Sequence, residues 1–346
     1  MNAFRTELNI YNMRSFLLNF LALYYGATIF IVLHMMVLLK PFKFKYIVLI
    51  LYILFSIAVF LGRFWGNHFP LNISAWLARI GYIWMGLLVY MLIWSLICLF
   101  LNQINIAPTS ERHRLYFFIL EIGLCLTILI FGYINAHNVK IVRHKIETEK
   151  DINLVIAQIS DNHLGFMNSE YRFSRIVDRL ISISPDILLI TGDFLENEHN
   201  YAVIKEIGSS LRRLNPRLGI FGITGNHEYI SGIENSIKYM ENLGIQMLLD
   251  SSVIFQEVPL RIIGREDSSR SRWTTDANKT LEELLLSDDN TDNLFTILMT
   301  HQVKNHKEYE NKSIDLVISG HTHFGQYFPF NIVTKRIFDI AYGSEK

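Results

Sequence analysis

The sequence predicts an α/β domain carried behind a bundle of four transmembrane helices. Three observations lead there. Four apolar runs long enough to cross a bilayer fill most of residues 1–137. Beyond a polar link, strand-like and helix-like segments alternate. Asp, Asn and His residues stand just past the ends of most of those strand-like segments.

The four runs are Phe16–Leu39, Tyr46–Gly62, Ile80–Leu101 and Tyr116–Ile134. A spanning helix needs about 20 mostly apolar residues. The second run reaches Trp65 if Arg63 snorkels to the interface, so the expected spans are 16–39, 46–65, 80–101 and 116–134. Three of the runs lack Asp, Glu, Lys and Arg altogether, which is rare in a buried helix of a soluble protein. Phe42, Phe44, Trp65, Trp76 and Tyr82 sit near the run ends, where a headgroup belt places aromatic rings. The first run is too long for a cleaved signal peptide and no small-residue cleavage site follows it. Glu121 is the single carboxylate inside a run; its nearness to the expected helix start predicts that it reaches the interface beside Arg114.

Four spans put both termini on one side. That side carries Arg5, Arg14, Arg63, Arg79, Lys140, Arg143, Lys145 and Lys150; the other carries Lys40, Lys43, Lys45, Arg112 and Arg114. The excess predicts a cell-membrane protein with its C-terminal domain in the cytoplasm.

Lys plus Arg and Asp plus Glu number 32 each, with no dense basic run, so no nucleic-acid surface is evident. Cys98 and Cys125 both lie in apolar runs, which excludes a disulfide framework or a Cys-ligated zinc site from the second half.

Residues 138–150 are polar and charged and read as a linker, with the domain spanning 151–346. Val and Ile mark Asn153–Ser160 and Ile187–Thr191 as buried strands. Gly219–Thr224, Ile245–Leu249, Ser252–Val258, Arg261–Gly264, Leu294–Thr300 and Leu316–Ser319 read the same way. Helical spacing marks Glu170–Ser182, Val203–Leu214, Ile233–Leu243 and Thr280–Leu286. Alternation of this kind argues for an α/β fold.

Ligands of open α/β sheets bind at the carboxyl ends of strands. There the chain carries Asp161-Asn162-His163, Gly192-Asp193, Gly225-Asn226-His227-Glu228, His301 and Gly320-His321-Thr322-His323. Glycine beside three of these lets the chain turn sharply and approach an anion. Oxygen and imidazole donors without thiolates suit Mn, Fe, Zn, Ni or Co. Two such ions can clamp the attacking and leaving oxygens of a displacement at phosphorus. His144, His199 and His306 stand apart and read as surface residues.

The order D-x-H, G-D, G-N-H-E, H, G-H-T-H resembles the calcineurin-like metallophosphoesterase superfamily over about Asn153–Gln326. The G-H-T-H-x-G-Q ending and Gly264-Arg265-Glu266-Asp267 look like its bacterial membrane-associated branch, nearer the class III phosphodiesterases than the protein phosphatases. The resemblance implies an α/β/β/α sandwich and two divalent metal ions. It assigns Asp161, His163 and His323 to one metal, Asn226, His301 and His321 to the other, and Asp193 to both. It makes His227 the general acid, with Glu196 as its carboxylate partner and Glu228 the alternative, and lets Asn162 line the phosphate site. No Arg follows Asp193 closely, against the protein-phosphatase pattern. Phe324 replaces the usual Gly and is expected to narrow the pocket. Relatives continue further past the last motif, so the chain is expected to be a fragment or to have a shortened sheet edge.

The implied activity is hydrolysis of a phosphodiester or pyrophosphate bond, with a lipid-linked or nucleotide-linked substrate suited to membrane attachment, as in relatives that cleave UDP-diacylglucosamine. A small-molecule phosphomonoesterase and a non-catalytic metal-binding membrane sensor are the alternatives.

Overall fold

The computed structural model describes residues 2–106, 109–196, 207–273, 277–288, 291–303, 306–310 and 313–345. It divides into two compact units, Met1–Asn138 and Val139–Lys346.

The first unit holds four helices, α1 (Asn2–Leu38), α2 (Lys45–Phe64), α3 (Leu71–Gln103) and α4 (Glu111–His137). Each contains a segment long and apolar enough to cross a membrane. Helices α3 and α4 begin nine and five residues before the apolar runs at Ile80 and Tyr116. Hydropathy fades at Asn72, Arg79, Glu111 and Arg114, but helical hydrogen bonding does not depend on it. Ser110 caps the start of α4, its hydroxyl accepting from the His113 N–H at 3.2 Å, as N-caps do. Tyr24, Ile31, Tyr52, Trp84, Leu88 and Met91 form the unit's interior, while many other apolar side chains point outward, as lipid-facing helices require.

The longer α4 corrects the reading of Glu121. The residue stands ten positions into the helix, about 15 Å along its axis, and its side chain turns inward. It is 1% exposed, and neither carboxylate oxygen has a hydrogen-bond partner among the described residues. Arg114 instead donates to the Val37 carbonyl at 2.8 Å.

Among its described residues the second unit has the strands β1 (Ile156–Ile159), β2 (Ile187–Thr191), β3 (Ile220–Ile223), β4 (Gln246–Met247), β5 (Ser251–Ile254), β6 (Leu260–Gly264), β7 (Phe295–Met299) and β8 (Leu316–Ile318). Its helices are α5 (Glu170–Ile183), α6 (Ile207–Arg212), α7 (Asn226–Ser231), α8 (Ile233–Asn242), α9 (Arg270–Trp273), α10 (Leu281–Leu285) and α11 (Phe330–Ile337). Strands β1–β4 form a parallel sheet in that order. Strands β5–β8 form a second, parallel except for the antiparallel β5–β6 pair.

Side chains alternate across a strand, and here the alternation sorts the layers. Ile187, Leu189, Phe221 and Ile223 of the first sheet meet Leu260, Ile262, Ile297 and Met299 of the second in one core. Leu188 and Ile190 point the other way, onto Phe173, Val177 and Leu180 of α5, Leu211 of α6 and Met240 of α8. Ile263 and Leu298 likewise face Leu281 and Leu284 of α10. The layers are therefore helix, sheet, sheet, helix. Buried Arg261 completes the outer layer: Nη2 donates to the Leu284 carbonyl at 2.7 Å and Nε to Asp288 at 2.9 Å.

The elements follow the sequence reading closely, with shorter ends. The helix expected over Val203–Leu214 appears as α6; its first four positions, like His199, lie outside the described residues. Helices α7, α9 and α11 were not expected from periodicity, the first two being too short to display one.

Candidate metal centre

Five strands, β1, β2, β3, β7 and β8, end within two residues of a motif. Because they run parallel within their sheets, their carboxyl ends share one edge. That edge gathers the side chains. Ligand atoms of Asp161, His163, Asp193 and His323 lie within 4.8 Å of one another, and so do those of Asp193, His301 and His321. Asp193 belongs to both groups. His323 Nε2 is 3.3 Å from Asp161 Oδ1, and His301 Nε2 is 3.2 Å from Asp193 Oδ2. Asn226, the first residue of α7, has a buried Oδ1 with no partner among the described residues. So has Asn162, between Asp161 and His163.

These atoms suit divalent metal. His163 Nε2 and His323 Nε2 face each other at 3.0 Å. Two ring nitrogens turned to one point are natural ligands of one ion, whose bonds to nitrogen are about 2.0–2.1 Å for zinc. The opposite ring nitrogens are anchored, His163 Nδ1 to Glu196 at 2.8 Å and His301 Nδ1 to the Thr191 carbonyl at 2.8 Å. Such outer partners fix the tautomer of a metal-binding imidazole.

The backbone is held in an uncommon form. Asp161, His163, Asp193, His321 and His323 all have φ between 43° and 73°, a left-handed region that Asp and His enter more readily than most residues. Glycine serves the site by making room for side chains. A Cβ on Gly225 would stand 2.2 Å from Asp193 Oδ1, and one on Gly320 would stand 2.4 Å from Asp161 Oδ2.

His227 approaches Glu196 Oε2 at 3.2 Å through Nδ1. The same oxygen is nearer His163, so Glu196 serves a candidate ligand and the candidate acid together. Glu228, the alternative partner of His227, points elsewhere. Wholly buried, it accepts from the backbone N–H groups of Asp193 at 3.0 Å, Leu195 at 3.0 Å and Gly225 at 2.7 Å. It pins the second motif to the third, a role that spacing alone does not reveal.

Electrostatics match the geometry. Burial pushes the Glu196 carboxyl up, but His163 and His227 override it and hold it at about 2. Burial disfavours charge on His301, yet Asp193 lifts its imidazole to about 9. Burial also opposes a cationic His227, and Glu196 and Asp193 reverse that, raising it.

Phe324 has φ of 49° and packs its ring 5.3 Å from Tyr342, on the short turn that follows His323. His306 is paired with Asp339 at 3.0 Å and His144 lies 3.3 Å from the Ser344 hydroxyl; neither joins the cluster.

Comparison with known proteins agrees. The family profile for calcineurin-like phosphoesterases matches residues 154–325. An uncharacterized metallophosphoesterase of Aquifex aeolicus is 31% identical over 201 residues, 57% of this chain and 75% of that protein. One from Helicobacter pylori is 30% identical over 54% of this chain but only 48% of its own length. A zebrafish (Danio rerio) protein called transmembrane protein with metallophosphoesterase domain is 26% identical over 75% of this chain and 63% of its own. The chain thus spans about half to three quarters of these relatives. With the motifs, the sandwich and the Aquifex match in agreement, this chain belongs to the calcineurin-like metallophosphoesterase family.

Proposed function

We propose that the protein is a membrane-anchored, binuclear phosphoesterase that cleaves phosphodiester or pyrophosphate bonds. One observation carries the reading: the Asp193 carboxylate is common to both ligand groups. In this reading Asp161, His163 and His323 would hold one divalent ion, Asn226, His301 and His321 would hold the other, and Asp193 would serve both. Mn, Fe, Zn, Ni and Co all suit such donors.

The ions would supply an acidified water nucleophile and neutralise charge on phosphorus. The chain's own residues do the rest. His227, raised toward its cationic form, gives a proton to the leaving oxygen. Glu196 orients that imidazole and stabilises its charge. Glu228 fixes the Asp193 and Gly225 loops so that the donors converge. Diester activity is favoured over phosphoprotein hydrolysis because no Arg closely follows Asp193. The anchor suits a lipid-linked or nucleotide-linked substrate, and the basic-residue count favours a cytoplasmic domain in the cell membrane.

The test uses the purified full chain. Bis-p-nitrophenyl phosphate should be hydrolysed faster than p-nitrophenyl phosphate, with about two metals per chain by elemental analysis. Asp193→Ala should lose both metals; two retained metals would refute the bridge. Faster monoester cleavage would favour the phosphomonoesterase, and a metal-loaded, inert protein the sensor. For orientation, an alkaline phosphatase fused to the C-terminus should be inactive.

A further inference from the structure

An amphipathic helix of a folded domain ordinarily turns its apolar stripe inward. Helix α11 does the reverse. Phe330, Val333 and Ile337 follow the i, i+3, i+7 spacing of one face, yet they are 44%, 50% and 65% exposed, and no residue of the helix is buried. Phe328, just before it, is 66% exposed, and Ile332 is 48% exposed.

These side chains form a patch. Among the described residues from Val155 to Tyr342 fifteen large hydrophobic ones are exposed, and seven of them lie from Tyr327 to Tyr342. Singly scattered ones need no explanation, whereas a concentration of this kind marks an interaction surface.

The patch is built onto the metal centre. Helix α11 starts seven residues after His323 and packs against the turn carrying it. The Phe338 ring stands 5.9 Å from the His321 ring, and the Thr322 hydroxyl donates to the Ala341 carbonyl at 2.7 Å. Charge narrows the choice of occupant. Lys335 and Arg336 lie in the last turn, and no Asp or Glu occurs between Phe324 and Phe338. Aromatic and aliphatic side chains beside basic ones are the composition of a helix that lies in a lipid interface. Four membrane spans in the same chain keep a bilayer within reach.

We propose that Phe328 and α11 form a docking surface for anionic lipid headgroups and the acyl region beneath them. Docking sets the metal centre at the plane of the bilayer surface. The inference concerns where the domain rests and stands whether or not the proposed hydrolysis is correct.

The test uses the full chain reconstituted in vesicles, with nitroxide labels at Val333→Cys, Ile337→Cys and, as an exposed control outside the segment, Leu286→Cys. Collision with oxygen is compared with collision with a water-soluble nickel chelate. In phosphatidylglycerol vesicles the oxygen-to-nickel ratio at 333 and 337 should exceed that at 286 severalfold. Phosphatidylcholine should reduce the excess, and so should Lys335→Glu with Arg336→Glu. Those charge variants should leave hydrolysis of a water-soluble diester unchanged, which separates failed docking from failed catalysis. Ratios at 333 and 337 equal to the control in phosphatidylglycerol would overturn the proposal. Dipolar broadening between labels of two copies would overturn it too, by giving the surface to a second copy of the chain.

Discussion

Glu228→Gln is the most informative single change. The wild-type carboxylate receives three backbone N–H groups, two on Oε2 and one on Oε1. An amide has only one oxygen. Its better orientation keeps the Asp193 and Gly225 donors and turns the NH2 against the Leu195 N–H, donor to donor. One charge-assisted bond, about 1.5–3 kcal/mol, is lost, and two fall to neutral strength, about 1 kcal/mol less each. Removing a buried negative charge near Asp193 offsets part of this, because burial and Asp193 both push the Glu228 carboxyl up. The net cost is about 2–4 kcal/mol, or about 5–15 °C in melting temperature for a domain of this size. Because the lost clamp positions Asp193, metal affinity should fall about 10–100-fold, as for other outer-sphere partners. Differential scanning fluorimetry and metal titration of the purified protein measure both. A variant that melts within a degree of wild type and binds metal normally would refute the clamp, and would mean that Glu228 is already neutral.

Further expectations follow from the same contacts. Gly320→Ala brings a Cβ to 1.9 Å from the Ser160 hydroxyl oxygen and 2.4 Å from Asp161 Oδ2, so elemental analysis should show loss of the metal assigned to Asp161. His227→Ala should keep metal and lose about 10²–10⁴-fold in kcat, the loss shrinking for acidic leaving groups; Glu196→Gln should lose less, while also loosening metal through His163. Asp288→Asn should cost about 1–3 kcal/mol at neutral pH, since it leaves a buried Arg261 without its carboxylate. Burial raises the Asp288 carboxyl, but the Ser252 hydroxyl and Arg261 outweigh it and lower it. Its contribution is therefore complete above the unfolded value near ~4 and lost as pH falls through the folded one. The two proteins' pH–stability curves should converge once the pH has fallen below the folded value.

The candidate positions stand out in the sequence because polar residues interrupt the chain where buried strands end. Ile187–Thr191 is wholly apolar but for its last residue, and Gly192-Asp193 follows at once. The two-layer sandwich was harder to read: buried strands such as β2 and β7 are apolar on both faces, so their sequences do not say which face meets the other sheet. In the first unit, α3 and α4 begin before the apolar runs at Ile80 and Tyr116, because helical hydrogen bonding does not depend on hydropathy. The five residues of α4 before Tyr116 place Glu121 further into the helix than the apolar run alone suggests. Glu196 was legible as a carboxylate for His227, but its closer bond to His163 depends on the chain returning through Leu195 to Leu164. The outward stripe of α11 needs the tertiary fold, since periodicity is the same for a stripe turned either way.

The strained backbone links the sheets to the chemistry. A left-handed conformation costs a non-glycine residue about 1–2 kcal/mol, and five candidate ligands adopt it. Nothing in the loops alone would hold it. Of the strands before them, β2 is fully buried while β1 and β8 are partly so, and neighbouring loops lock together: the His163 N–H donates to the Asp193 carbonyl at 3.0 Å, and the His227 N–H to Asp193 Oδ1 at 2.8 Å. His321 gives its N–H to both Asp161 oxygens at 3.0 Å. Neighbouring motifs thus hold one another through these hydrogen bonds, and the bonds between loops that bring the donors together also offset the cost of their left-handed backbone.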